Sequence, residues 1–423
     1  MKLPLIVNRR IYFLTILILG SLCFVGKSQS PSYSHKKQLF ETQIDSFFSK
    51  LIEERRIPGA VLQIAVEDQV LLSKAFGYAK RFDAAGRDLP YMEKMTTEHL
   101  FDIASLTKVI GTTTAIMLLA DKGLLNIDDT VGKYIDAFKT GEKATITIRH
   151  LLTHSSGLKE WYPMYYKASS LEQTWKLIGE LPLKYPVGKE RKYSDLGFTI
   201  LAQIVQIVSG YNFESYLEET IFRPLEMKNT FYNPSKFRGY RPIAATSFGN
   251  PYEKRMVYDS VLGFRVPEID PDSWSGWRNY SLQGQVNDGN AWYACQGVSG
   301  AAGLFSTADD LQKLVDMLLH KGRIGNRQFI SEKTIDQFLK KDHFNNGLGW
   351  MMDPLNSFMK NAPEGSFGHT GFTGTSITVV PSKKLSIILL INRQQKGLND
   401  KGEYENVNPI RAEIFRRTME WLQ

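Results

Sequence analysis

The sequence predicts a mixed α+β fold: one antiparallel sheet built from the N- and C-terminal parts of the chain, flanked by helices, with a mostly helical sub-domain inserted between them. Three observations carry this. Apolar, β-rich runs at 60–66 and 70–76 surround Glu67-Asp68-Gln69 and read as a hairpin near the start. A matching pair, 373–380 and 385–391 around Pro381-Ser382-Lys383-Lys384, reads as a hairpin near the end. The stretch between them is dominated by helical patterns and loops, and 423 residues exceed what one hydrophobic core supports. The sheet is expected from about 39–100 and 345–423, with the cleft between sheet and helical insertion.

Residues 1–30 read as a signal segment. Lys2, Arg9 and Arg10 precede the apolar run 11–25, and Gly26, Ser28 and Ser30 supply small residues for cleavage. The run is short for a membrane span, so membrane attachment is expected only through an uncleaved signal. Cys23 suggests a lipid anchor as a second reading, with Leu22 standing where a small residue should precede it. Export to a periplasm or cell surface is expected, with 31–423 as the mature body. The first 30 residues hold four basic groups and no acidic one, so removing them lowers the net charge from +8 to +4. No basic stripe remains to suggest a nucleic-acid partner. Cleavage leaves Cys295 alone, so no internal disulfide is expected.

From Leu39 to Arg56 the apolar residues fall at helical spacing, and Pro58-Gly59 ends the run. Val109 to Lys122 is apolar or small on nearly every side, which predicts a buried helix stopped by Gly123. Ser105 and Lys108 stand at its N-terminus, one turn apart on the same face. A serine hydroxyl is a poor nucleophile until a base takes its proton, and a desolvated lysine is one such base. The helix N-terminus adds unpaired N–H groups that can hold an oxyanion. Ser-x-x-Lys also begins at Ser34, Ser156 and Ser357, so context alone singles out Ser105. His150 and His154, four apart, would face one way on a helix, but no acidic third ligand stands nearby and a structural role is preferred.

Residues 160–186, rich in Trp and Tyr, read as a lid or cleft wall. Tyr193-Ser194-Asp195 opens a second apolar helix, 196–208, ending at Gly210. The stretch 233–298 has no sustained period, and irregular segments this long are often functional. Thr307 and Asp310 have capping-box spacing for a helix through Leu319. His369-Thr370-Gly371 precedes the last hairpin among glycines at 365, 368, 371 and 374, which leave room for a substrate backbone along a strand edge. Asn408-Pro409 opens a final amphipathic helix.

Ser-x-x-Lys, then Tyr-Ser-Asp, then His-Thr-Gly, in that order, resembles the penicillin-recognising serine hydrolases: D,D-peptidases, class C β-lactamases and related esterases. The segments 151–158 (Leu-Leu-Thr-His-Ser-Ser-Gly-Leu), 303–310, 347–350 and 368–374 are similar to family segments too, and the likeness spans roughly 40–395. Residues 368–374 and 284–291 look most like the periplasmic penicillin-binding protein 4B group. The resemblance implies the β-lactamase/D,D-peptidase fold and acyl-enzyme chemistry without metal or cofactor. It makes Ser105 the acylated nucleophile, with Lys108 and Tyr193 sharing its proton. The backbone N–H groups of Ser105 and Phe372 would form the oxyanion hole, and Asp195, His369, Thr370 and Gly371 would contact substrate. The substrate expected is a D-Ala-D-Ala-type peptide or small ester, with β-lactam hydrolysis as one alternative and a catalytically silent peptidoglycan-binding or regulatory protein of the same fold as another.

Two departures matter. Asp195 stands where many members carry Asn, and His369 where many β-lactamases carry Lys. The first removes an amide donor. The second predicts a weaker, pH-dependent attraction for a carboxylate. No Gly-x-Ser-x-Gly elbow exists around Ser299, because Ala301 replaces the second glycine.

Overall fold

The computed structural model describes residues 31–236 and 241–423. The signal segment and Cys23 lie outside the described residues. The main sheet has the order β3-β2-β1-β11-β10-β9. Its strands are β1 (Gly59–Val66), β2 (Gln69–Phe82), β3 (Asp88–Lys94), β9 (Phe367–Thr370), β10 (Ser376–Val380) and β11 (Leu385–Ile391). A small sheet joins β4 (Phe101–Asp102), β5 (Phe231–Tyr232) and β6 (Leu304–Ser306), and β7 (Arg323–Ile324) pairs with β8 (Arg327–Gln328). The helices are α1 (Pro31–Glu53), α2 (Thr114–Asp121), α3 (Ile148–Leu152), α4 (Leu171–Glu180), α5 (Asp195–Ser209), α6 (Phe213–Leu217), α7 (Pro251–Tyr258), α8 (Ala308–Leu319), α9 (Glu332–Phe338) and α10 (Asn408–Trp421).

The two chain ends meet where β1 pairs antiparallel with β11, from Ala60↔Ile391 to Val66↔Leu385. Glu67 and Asp68 turn the first hairpin in the left-handed region, at φ 50° and 67°. Side chains alternate across a strand, so β1 and β11 feed two cores. Leu62, Ile64, Ile387 and Leu389 meet Ile44 and Phe48 of α1 and Ile410 and Ile414 of α10 on one face. Val61, Ile388 and Leu390 join the larger core on the other, with residues of α2, α5 and α8. With both faces covered, the strands read as continuous apolar runs, as the sequence shows. Truncating one of these fully buried leucines or isoleucines to alanine would cost about 2–5 kcal/mol.

Three sequence expectations need revision. The core helix is not α-helical from its start: Lys108–Thr113 is a π-turn and α2 follows it. Threonine hydroxyls bond to backbone along it: Thr114 Oγ1 donates to Val109 O within the turn at 2.9 Å, and Thr112 Oγ1 ties it to Gly300 O at 2.7 Å. The stretch 233–298 contains a helix, α7, whose Pro251 occupies the first turn where no N–H is needed. The capping box at Thr307 is half formed. Thr307 accepts the Asp310 N–H at 3.3 Å, but the Asp310 carboxylate turns away to Asn229 N (2.6 Å) and Lys313 Nζ (2.7 Å). The stop at Gly210 is as expected, with φ 76°.

Candidate active site

Ser105 stands on a sharp turn between β4 and the core helix. β4 is fixed by pairing with β6, Phe101 against Ser306 and Asp102 against Phe305. Asp102 is buried and holds the turn from both sides. Its Oδ1 accepts the Ala104 N–H at 2.9 Å and its Oδ2 the Asn287 N–H at 2.7 Å. This bracing supports Ala104 at φ 45°, a strained position for a residue with a Cβ. Burial pushes the Asp102 carboxyl up to about 6.

Lys108 is fully buried. Its Nζ lies 3.0 Å from Ser105 Oγ, 2.8 Å from Ala301 O and 2.7 Å from Asp195 Oδ1. With the Tyr193 hydroxyl, four acceptors surround the three N–H bonds of the ammonium. Burial alone would push the lysine pKa down. The negative charge of Asp195, then Tyr193, outweighs it, so the pKa ends above the usual lysine value. Asp195, expected as a substrate contact, lines the cavity, and its carboxylate also pairs with Lys108.

Tyr193 is held by its neighbours. Ser194 caps α5 by accepting the Gly197 N–H, and its hydroxyl donates to Lys159 O at 2.7 Å. The Ser194 N–H donates to His154 Nδ1 at 3.0 Å, and the His154 ring lies 4.4 Å from the Tyr193 ring. Burial holds His154 well below its usual pKa, so it is neutral. His150 is used locally, its Nδ1 taking the Thr147 N–H at 3.1 Å. The two histidines therefore serve the backbone, and no metal-holding cluster forms among the described residues. The Tyr193 hydroxyl bonds to the side chains of both Ser105 and Lys108, and burial raises its pKa more than Lys108 lowers it.

The third motif closes the site from β9. Thr373 Oγ1 donates to Asp102 O at 2.7 Å and Thr375 Oγ1 to Ile103 O at 3.2 Å, so the turn after β9 is stapled to the strand before Ser105. Gly371 is needed here, since a Cβ would stand 2.6 Å from Ile103 O. Arg411 of α10 steadies the same turn by donating to Thr375 O at 2.8 Å. The N–H groups of Ser105 and Phe372 have no acceptor among the described residues.

His369 corrects an expectation. It is buried, and burial pushes its pKa down to about 3, so it is neutral across the working range. Its Nδ1 lies 2.9 Å from Thr370 O, and a carbonyl only accepts, so Nδ1 carries the proton and Nε2 is an unpartnered acceptor. A neutral acceptor offers no pH-dependent pull on a carboxylate. The open edge expected along the third motif is also shortened, because Gly368 exchanges both backbone hydrogen bonds with Met351 at 2.9 Å.

Ser105 opens into a cavity of about 420 Å³. Trp161 and Glu160 line it, so the aromatic stretch supplies part of a wall as expected, while Tyr162 and Tyr165 are buried in the core. Sequence reasoning missed the opposite wall: Asn250, Tyr252, Glu253 and Met256 on or beside α7, with Tyr404 from the C-terminal region. The Asn250-Pro251 pair was the available signal for that helix.

A sequence model of the β-lactamase family matches residues 44–409. The chain belongs to the β-lactamase family. It is 34% identical over 372 residues to the N-acetylmuramyl-L-alanine amidase of Bacillus subtilis strain 168, covering 83% of this chain and 80% of that one. It is 33% identical over 387 residues to an Escherichia coli O157:H7 protein that carries the provisional name D-alanyl-D-alanine carboxypeptidase, covering 86% and 85%. The octameric penicillin-binding protein homologue from Pyrococcus abyssi superposes with a TM-score of 0.63 at 21% identity, over 89% of this chain and 77% of that one, a likeness of fold. The expected fold and family assignment are thereby borne out, and the chain is a serine hydrolase of this family.

Proposed function

We propose that this hydrolase is exported and cleaves an amide or ester bond of peptidoglycan-type substrates, with Ser105 as the acylated nucleophile. The observation that carries the reading is the hydrogen-bonded set of Ser105, Lys108 and Tyr193 at the mouth of a cavity. Two relatives named for amidase and carboxypeptidase action on cell-wall amides support the substrate class. The composition of residues 1–30 supports export.

Ser105 Oγ attacks the scissile carbonyl, and the N–H groups of Ser105 and Phe372 hold the oxygen as it gains charge. Because Lys108 is already an ammonium donating to Oγ, it cannot take the serine proton. Tyr193 takes it as a phenolate, formed beforehand by loss of its own proton to solvent and stabilised by the ammonium beside it, and so becomes a phenol. The carbon–nitrogen or carbon–oxygen bond then breaks, and the same proton passes from Tyr193 to the leaving group. A water attacks the acyl-enzyme, its proton goes by way of Tyr193 to Ser105 Oγ, and the acid departs. Asp195 keeps Lys108 charged throughout.

Turnover measured side by side on a D-Ala-D-Ala peptide, N-acetylmuramyl-L-alanine, nitrocefin and p-nitrophenyl acetate tests the reading. Hydrolysis of one of the first two, above that of nitrocefin, supports it. Nitrocefin as the best substrate would move the assignment to β-lactamase. No turnover of any would move it to a silent wall-binding protein.

A further inference from the structure

We infer that the cavity beside Ser105 selects acyl donors carrying a free primary ammonium group, held between Glu253, Asp288 and the aromatic walls. The inference rests on the serine-hydrolase reading and names the substrate class of the same site. The cavity is lined by Glu160, Asp195, Glu253 and Asp288, and by no lysine, arginine or histidine, in a chain whose net charge is positive. Its apolar walls are Trp161, Tyr252, Phe264, Phe372 and Tyr404, faces that attract a cation through their quadrupoles.

Lys108, Arg278 and Arg393 have partners of their own. Lys108 is paired with Asp195 at 2.7 Å. Arg278 donates to Asn250 Oδ1 at 3.1 Å and Asn287 O at 3.1 Å, and its charge acts on Glu253 and Asp288 without forming an ion pair with either. Arg393 donates to Phe372 O at 2.8 Å and Glu405 O at 3.0 Å. Glu253 and Asp288 accept the backbone N–H groups of Gly289 at 2.8 Å and Ala291 at 2.7 Å, and the Tyr165 hydroxyl also faces Glu253. Glu253 Oε1 is buried and no hydrogen bond of ordinary geometry closes on it among the described residues, the Tyr165 hydroxyl being the side-chain donor that approaches the carboxyl. A buried carboxylate oxygen without a donor is costly, and a ligand ammonium supplies both the donor and the opposite charge. Burial raises both carboxyls, Glu253 to about 8 and Asp288 to about 6, and an arriving cation would drive both to ionise.

The amine can be a peptide N-terminus or a basic side chain, and both present the same –NH₃⁺. The test is protection of Ser105 against acylation by fluorescent penicillin, using phenethylammonium and its uncharged analogue 2-phenylethanol. We expect the ammonium to protect at about tenfold lower concentration, one charge-assisted hydrogen bond's worth of preference. Glu253→Gln and Asp288→Asn should each bring the two probes to within about twofold, with the unfolding midpoint checked for both. Equal protection by the two probes in the unmodified protein, or a preference that survives both substitutions, overturns the inference. Absence of labelling without any probe would instead sink the serine-hydrolase reading, and the two probes would then be compared by calorimetry with the same criteria. Peptide pairs separate the sources: D-Ala-D-Ala-D-Ala against its N-acetyl form, and Nα-acetyl-L-Lys-D-Ala-D-Ala against its diacetyl form.

Discussion

Buried charge in this cavity is handled in two ways. On one side, Lys108 has an ion partner at 2.7 Å and three acceptors, and it stays charged despite complete burial. On the other, Glu253 forms no ion pair among the described residues, and burial outweighs the Gly289 N–H, the Tyr165 hydroxyl and the charge of Arg278 to raise its pKa to about 8. The first arrangement fixes a charge before substrate arrives. The second leaves a group whose charge depends on what enters. The difference separates machinery that must be ready from a wall that responds.

The largest effect should come from breaking the compensated side. Lys108→Met removes the cation beside Tyr193 and should lower acylation by about 10³-fold, as loss of a transition-state charge partner does. It also strands Asp195, which is partly exposed, at a cost of about 1–3 kcal/mol. Adding Asp195→Asn should restore stability without restoring acylation, read by urea unfolding and labelling rate. Recovery of both together would mean that Lys108 matters only for folding.

Asp195→Asn alone sharpens the comparison. The Asp195 charge raises the pKa of both Lys108 and Tyr193, so removing it should move the acid limb of kcat/KM to lower pH. A shift of about one unit or more is expected, belonging to the coupled set rather than to one residue. An unmoved limb would show that neither group sets the profile.

Glu253→Gln addresses the uncompensated side through stability. The native carboxyl titrates near 8 against an ordinary value of 4.5, so the folded state binds the extra proton between those values. Stability carried by the protonated form is present below about 4.5 and lost as pH rises through about 8. The glutamine does not titrate, so the variant should gain on the parent by about 4 kcal/mol between pH 5 and pH 9. Urea midpoints at the two pH values check it, and a gain in the opposite direction would contradict the burial argument.

The smallest effect should be at Cys295. The thiol is buried and pushed up to about 12 by that burial, so Cys295→Ser should cost no more than a packing defect of about 1–2 kcal/mol and leave turnover unchanged. Loss of activity at unchanged stability would give the thiol a chemical role.

These predictions rest on features that the sequence revealed unevenly. The sheet was legible because β1, β10 and β11 are apolar runs bounded by turn residues, and α5 because Ser194 and Gly210 mark both its ends. Ser105, Lys108 and Tyr193 were legible as motifs, and the structure brings all three into contact. The charge states were not. That His369 is neutral follows from its complete burial and its bond to Thr370 O, neither of which a His-Thr-Gly string discloses. Asp195 pairs with Lys108 across 87 positions that only the fold closes. Asn287 and Asp288 sat in a segment singled out by resemblance but without a role. Glu253 was hidden because α7 is short and lies in a stretch without periodicity.

The central claim is that Ser105 is the atom acylated. Intact-mass analysis after brief incubation with a penicillin, followed by peptide mapping, measures it directly. The account predicts one adduct, on the peptide containing Ser105, and none in Ser105→Ala protein of unchanged unfolding midpoint. An adduct of the same mass and rate in Ser105→Ala would contradict it.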